Sequence, residues 1–392
     1  MFIERKILRG LVNHFDSKQV TVITGMRRVG KTTLLKELLK SAPDGKSIFI
    51  DLERIDNREL FDEKNYENIL QNLRRRGLQT ESRFYIGIDE IQFVPNLPSV
   101  LKYFYDNYDV KFIVTGSSSY YIKNLFSESL AGRKTIFELF PLDFGEYLRF
   151  KGIPYVPFIN FSNEFNTHEF TRLKGNYDEY IKFGGFPDVV LEANEKNKIE
   201  FLNDLINSYL TIDIKALSDF RNEKNIYNLI KILSARAGTR LDYTKISSIS
   251  GLSRPTVMNY LELFQKSYLI DRVEVFTKNR DKEIVKAPKL YFTDNGIMNR
   301  LAEISSGVQF ENAVYNQIKH LGDVRYYALK TGKEIDFILN GDTAIEVKET
   351  ATLSDLKQFQ KLSSSLGINK NYLIGRHRTP NFSQYTWGGE IQ

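Results

Sequence analysis

Short apolar runs recur through residues 20–142, separated by polar stretches with helical spacing. The runs Val20–Thr24, Ser47–Asp51, Phe84–Asp89, Lys111–Thr115 and Lys134–Leu139 read as strands buried on both faces. Strands of that kind, joined by crossover helices, predict an α/β fold: a parallel sheet with helices on both faces. Residues 143–220 read mainly as helices, interrupted by Phe183-Gly184-Gly185-Phe186-Pro187, a turn signal with no chemistry implied. Between 221 and 291 the pattern gives three helices and then two strands, and from 292 to Gln392 strands and helices alternate again. Four blocks are expected: a core over 1–142, a helical lid over 143–220, a winged helix-turn-helix over 221–291 and a small α/β domain over 292–392.

Composition narrows the chemistry. The 392 residues suffice for two to three domains, and none is cysteine. Disulfides, thiol nucleophiles, iron–sulfur ligation and cysteine zinc sites are thereby excluded. Four histidines (His14, His168, His320, His377) leave little room for a His-rich metal centre. His168-Glu169 lacks the second histidine of a zincin, and Gly116-Ser-Ser-Ser-Tyr is not G-x-S-x-G. No apolar run approaches about 18 residues, and the opening Met-Phe-Ile-Glu-Arg-Lys lacks a secretory core. The expectation is a soluble, cytoplasmic protein with no membrane partner.

One loop carries a phosphate signature. Gly25-Met26-Arg27-Arg28-Val29-Gly30-Lys31-Thr32 follows the first strand, satisfies G-x-x-x-x-G-K-[ST] and opens a helix over Thr32–Lys40. Its glycines let backbone N–H groups point at phosphate oxygens, and the helix N-terminus adds partial positive charge. Lys31 is expected on the β- and γ-phosphates, the Thr32 hydroxyl on Mg²⁺, and Thr33 completes the loop. The third strand ends in Asp89-Glu90. Asp89 suits the Mg²⁺ water shell, and Glu90 suits the attacking water. The fourth strand ends in Gly116-Ser117-Ser118-Ser119, where Ser117 or Ser118 either senses the γ-phosphate or caps the next helix. Arg133, just before the last strand, is either an arginine finger, acting within the chain or across a subunit boundary in a homo-oligomer, or a solvated side chain. Arg27 and Arg28 face the same choice between phosphate and a neighbouring subunit. Arg74-Arg75-Arg76 reads as a solvated helix end, with a subunit contact or a DNA phosphate as the other reading.

Gly-Met-Arg-Arg-Val-Gly-Lys-Thr-Thr, Ile-Asp-Glu-Ile-Gln, Thr-Gly-Ser-Ser-Ser, Leu-Ala-Gly-Arg and Phe-Pro-Leu-Asp-Phe-Gly-Glu-Tyr together resemble one family, along nearly the whole chain. It comprises AAA-type ATPases of bacteria and archaea with a C-terminal restriction-endonuclease-like domain. The resemblance implies ATP, with Mg²⁺, rather than GTP, because no guanine-reading Asn-Lys-x-Asp is present.

The net charge of +6 has an address. Residues 221–290 hold 14 Lys+Arg against 7 Asp+Glu, a local +7 that accounts for the whole excess. Helices over Tyr243–Ser250 and Ser253–Lys266 flank a Gly251-Leu252 turn. In the latter, Val257, Tyr260, Leu261 and Phe264 form a buried stripe, leaving Arg254, Thr256 and Asn259 outward, with Ser253 as N-cap. Strands over Ile270–Phe276 and Ile284–Phe292, with Lys278–Lys282 at the tip, complete a winged helix-turn-helix. Such a unit presents a helix to the major groove and a basic loop to phosphates, so DNA is the expected partner. Winged helices also serve as protein spacers, and RNA stays open as a substrate.

Near the C-terminus, Asp336 and Glu346 fall on adjacent strands joined by Asn340-Gly341-Asp342, and Glu346 and Lys348 share one strand face. An Asp with Glu-x-Lys can hold one or two Mg²⁺ ions and place an ammonium beside the attacking water of phosphodiester hydrolysis. With Glu311 on the upstream helix, the set resembles the core of PD-(D/E)xK nucleases, Ile335 replacing the familiar proline. Cross-strand Glu/Lys pairs are also common surface salt bridges. Two whole-chain functions follow: an ATPase coupled to DNA binding, with or without cleavage by the last block, or an ATP-dependent switch that binds DNA or a protein without cutting.

Overall fold

The structure, a computed structural model, describes residues 2–117, 130, 132–214, 223–277, 286–329 and 331–391. The chain divides into two compact units, one built on Met1–Phe140 and one on Pro141–Thr211, Phe220–Gln265 and Leu269–Gln392.

The first unit contains α1 (Leu8–Asn13), β1 (Val20–Thr24), α2 (Lys31–Leu39), β2 (Ser47–Asp51), α3 (Ile55–Glu59), α4 (Tyr66–Arg75), β3 (Phe84–Asp89), α5 (Leu97–Asn107), β4 (Val110–Gly116) and β5 (Lys134–Glu138). All five expected strands are present, and every pairing is parallel in the order β2-β3-β4-β1-β5. Side chains alternate along β3, so the sheet's two faces can be told apart. Ile86 and Ile88 join a core with Ile69, Leu70 and Leu73 of α4 and Leu101 and Phe104 of α5. A Cβ on the intervening Gly87 would lie 2.6–2.7 Å from Leu39 and Leu35 of α2. Helices therefore cover both faces, as the continuous apolar runs require.

The second unit begins with α6 (Phe144–Phe150), α7 (Thr167–Phe183), α8 (Pro187–Leu191) and α9 (Glu195–Ser208). Next come α10 (Glu223–Ser234), α11 (Tyr243–Ser250) and α12 (Arg254–Lys266), followed by the antiparallel pair β6 (Ile270–Val273) and β7 (Lys289–Phe292). Asp242 caps α11, Gly251 turns the chain at φ 69°, and Ser253 accepts from the Thr256 N–H at 3.3 Å. The expected apolar stripe of α12 is buried, and Arg254 and Asn259 are exposed. The expected hairpin tip, Lys278–Lys282, lies outside the described residues.

The remaining elements are α13 (Asn295–Leu301), α14 (Ser306–Ile318), β8 (Val324–Ala328), β9 (Glu334–Leu339), β10 (Thr343–Lys348), α15 (Leu353–Ser365), β11 (Lys370–Gly375) and β12 (Thr386–Trp387). Their sheet runs β12-β11-β10-β9-β8, antiparallel from β8 to β10 and parallel from β10 to β12. One core joins Phe144, Tyr177 and Tyr180 of the lid block, Val273 and Tyr291 of the hairpin, and Phe310, Phe337 and Trp387 of the last block. Among the described residues no helix is long and apolar enough to cross a membrane.

Candidate active site

The phosphate loop hangs between β1 and α2. Gly25 sits where a Cβ would meet the Leu139 carbonyl oxygen at 2.0 Å, and Gly30 turns the chain at φ 101°. Arg28 also adopts the left-handed region at φ 61° with its side chain exposed. Arg27 reaches Glu53 at 3.2 Å, Val29 is buried, and Thr33 is exposed on the first turn of α2. The Lys31 ammonium is buried and donates to the carbonyls of Gly25 at 3.0 Å and Met26 at 2.9 Å. It also lies 3.3 Å from the Ser117 hydroxyl and 4.0 Å from Glu90.

Asp89, Glu90 and Ser117 arrive from the tips of β3 and β4. Thr32 donates to Asp89 at 2.7 Å, and Thr115 donates to the other carboxylate oxygen. Glu90 takes the left-handed conformation at φ 54°, uncommon for a non-glycine residue, which aims its buried carboxylate at Ser117 and Lys31. Ser117 donates to both Glu90 oxygens at 3.1 and 2.9 Å, and Gln92 donates to the second. Burial pushes the Asp89 carboxyl up, against the hydrogen bonds from Thr115 and Thr32. Burial acts on Glu90 the same way, but the Lys31 charge, Gln92, Arg27 and Ser117 together hold it below the usual carboxylate range.

The structure thus brings Lys31, Thr32, Asp89, Glu90 and Ser117 together; Ser118 lies outside the described residues. Arg133 does not join them. It stands at the opening end of β5, where Val20 pairs with Lys134, whereas the loop follows the closing end, where Thr24 pairs with Glu138. Its guanidinium meets Asp106 at 3.3 Å and lies 5.7 Å from the Tyr105 ring. Sequence reasoning missed Arg5, whose buried guanidinium donates to the Val29 carbonyl at 2.8 Å and the Phe140 carbonyl at 2.7 Å. No motif signals a residue that far upstream.

In the second unit the Asn340-Gly341 turn has φ values of 52° and 75°, and the β9–β10 register pairs Ile345 with Phe337. Asp336 is thereby placed beside β10, where it accepts from the Val347 N–H at 2.9 Å. Lys348 donates to Glu346 at 2.6 Å, leaving the other buried Glu346 oxygen without a partner. Both side chains line a cleft of ≈ 540 Å³ with Lys333, Glu334, Asp355 and Gln358. Glu311 on α14 accepts from the Tyr291 hydroxyl at 2.6 Å. Burial, with Asp336 close by, pushes the Glu311 and Glu346 carboxyls above the usual range.

Lys289 belongs to the local +7 of residues 221–290, yet it is only 2% exposed. Its ammonium lies 3.0 Å from Glu334, 3.6 Å from Glu311 and 3.7 Å from Asp336. Among the described residues no three carboxylate or imidazole groups are arranged to hold a metal ion.

A five-stranded parallel sheet with its phosphate loop between β1 and α2 and acidic residues at the tip of β3 defines a P-loop ATPase domain of the AAA type. The AAA domain family matches residues 17–148, and two domains of unknown function, DUF8612 and DUF4143, match residues 174–307 and 306–386. The chain is similar to the uncharacterized protein MJ1544 of Methanocaldococcus jannaschii, with 29% identity over 94% of this chain and 84% of that one. It is also similar to an uncharacterized protein of Haemophilus influenzae, with 25% identity over 86% of this chain and 84% of that one. Among solved structures, the Aeropyrum pernix ORC1 protein in complex with DNA aligns with TM-score 0.33 and 13% identity, covering 77% of this chain and 92% of that one.

Proposed function

We propose that the protein is a Mg²⁺-dependent ATP hydrolase whose nucleotide cycle is coupled to DNA binding. The convergence of Lys31, Thr32, Asp89, Glu90 and Ser117 on one loop carries the hydrolytic half. Thr32 and Asp89 offer a hydroxyl and a carboxylate 2.7 Å apart, hard oxygen donors that fit Mg²⁺, which supplies charge neutralisation at the β- and γ-phosphates. Lys31 exchanges its two loop carbonyls for phosphate oxygens. Glu90, ionised at neutral pH, accepts a proton from the water that attacks the γ-phosphorus as ADP leaves. Ser117 touches both Lys31 and Glu90, so it is placed to report phosphate occupancy to the base. Lys31→Ala is expected to abolish nucleotide binding and turnover, and Glu90→Gln to keep binding and lose turnover. Undiminished hydrolysis in both variants would refute the assignment.

A cleft of ≈ 670 Å³ beside α12, lined by Arg240, Arg254, Arg272 and Lys286 against Asp242 and Glu274, supports the DNA half. Three cations flanking a helix whose own Arg254 and Asn259 are exposed suit a duplex backbone. Asp336, Glu346 and Lys348 give the last block the residues of a nuclease-like site, and Asp336 and Glu346 are its oxygen donors for Mg²⁺. One observation favours the second reading, an ATP-dependent switch that binds without cutting: the Lys289 ammonium already stands against Asp336, with Glu311 and Glu334 as its other partners. Supercoiled and linear DNA incubated with protein, ATP and Mg²⁺ or Mn²⁺ separates the two. Cleavage lost in Asp336→Ala and Lys348→Ala supports the nuclease, and bound but intact DNA in all three proteins supports the switch. A homo-oligomer in which Arg133 acts across subunits is tested by solution mass with and without ATP.

A further inference from the structure

Strand β7 delivers two polar side chains to the carboxylates at once. Lys289 and Tyr291 are two residues apart and so project from one face of the strand. The Tyr291 ring stacks on Tyr315 of α14 with centroids 4.5 Å apart, and its hydroxyl donates to Glu311. Lys289 places its ammonium within 3.7 Å of Glu311, Glu334 and Asp336. The hairpin is further held to this sheet edge beyond β6, where the Phe276 N–H donates to the Tyr326 carbonyl at 2.6 Å and the Tyr326 N–H to the Glu274 carbonyl at 3.0 Å. A buried ammonium is costly unless paired, and here three carboxylates compensate it.

The geometry points to Lys289 as the resident cation of the Glu311–Glu334–Asp336 cluster, a counter-ion supplied by the winged-helix hairpin that keeps a divalent metal from binding between Glu311 and Asp336. A divalent ion and an ammonium cannot share that space: both need the same oxygens, and their like charges repel in a low-dielectric setting. Metal entry then requires β7 to withdraw, so the hairpin that borders the basic cleft also controls the carboxylates. This inference deepens the nuclease-like reading of the site. Its test counts bound metal rather than cut DNA, so the two fail separately.

The experiment counts Mn²⁺ sites on the full chain without nucleotide, by electron paramagnetic resonance of the free ion. Wild type and Glu311→Gln are expected to bind equally. Lys289→Met is expected to gain one site, which the double variant Lys289→Met/Glu311→Gln loses again. A Glu311-dependent Mn²⁺ site in wild type overturns the proposal, and that arm requires no Lys289 variant to fold. Failure of a folded Lys289→Met protein, checked by near-UV circular dichroism, to gain a site also overturns it. Should Lys289→Met unfold, Lys289→Gln, which keeps a donor but not the charge, is read the same way.

Discussion

At the residue scale, Arg5 and Ser117 hold the nucleotide site in register. Arg5 ties the Val29 carbonyl of the phosphate loop to the Phe140 carbonyl beyond β5. Two charge-assisted bonds from a buried side chain are worth about 1.5–3 kcal/mol each, less than additively when both go. Arg5→Ala is therefore expected to lower the melting temperature by several degrees and to weaken ATP binding, read by thermal unfolding with and without nucleotide. Ser117→Ala removes the hydroxyl joining Lys31 to Glu90 while leaving the loop intact. Its kcat should fall about tenfold, the equivalent of one such hydrogen bond, with nucleotide affinity nearly unchanged. A matching loss of affinity would instead place Ser117 on the ground-state phosphate.

At the scale of elements, the glycine turn before α8 is a joint. A Cβ on Gly185 would lie 2.1 Å from the Leu142 carbonyl oxygen, and one on Gly296 would lie 2.1 Å from that of Phe183. Asp294 closes the joint, accepting from the N–H groups of Gly185 at 2.7 Å and Ile297 at 3.0 Å. Gly185→Ala must displace backbone rather than a flexible side chain, and a destabilisation of about 1–3 kcal/mol is expected in denaturant unfolding. Burial, opposed by those backbone bonds, raises the Asp294 carboxyl from 3.8 to about 6. The folded chain therefore holds a proton that the unfolded chain has already released. That stabilisation is fully present below pH 3.8 and is lost as pH rises through about 6. Asp294→Asn should flatten the fall in melting temperature across this window, and an unchanged slope would assign it to other groups.

For the whole molecule, the proposed DNA binding is tested by its salt dependence, which reports which cations are used. Arg254→Ala and Arg240→Ala should each reduce the slope of log affinity against log salt by about one, measured by fluorescence anisotropy on a duplex. Lys289→Gln should leave that slope unchanged, since its ammonium is buried and paired within the protein. The local charge of +7 thus overstates what the segment offers to a polyanion.

Much of the first unit was legible from local pattern alone. Five apolar runs became five parallel strands, because strands buried on both faces carry a signal that needs no long-range information. The loop from Gly25 to Thr32 and the acidic tip of β3 were legible for a similar reason: phosphate chemistry demands particular residues at fixed spacing. In the second unit the Asp336, Glu346 and Lys348 positions followed from strand alternation and a hairpin turn. Only tertiary structure decided what meets them. Lys289 lies 22 residues before Glu311 in the chain and belongs to a basic segment that reads as DNA-facing. Its burial depends on β7 packing against α14 and β9, a pairing that no local periodicity encodes. Arg5 and the orientation of Arg133 are of the same kind. Sequence specifies which groups a strand tip carries, and the sheet order specifies which of those groups share a space.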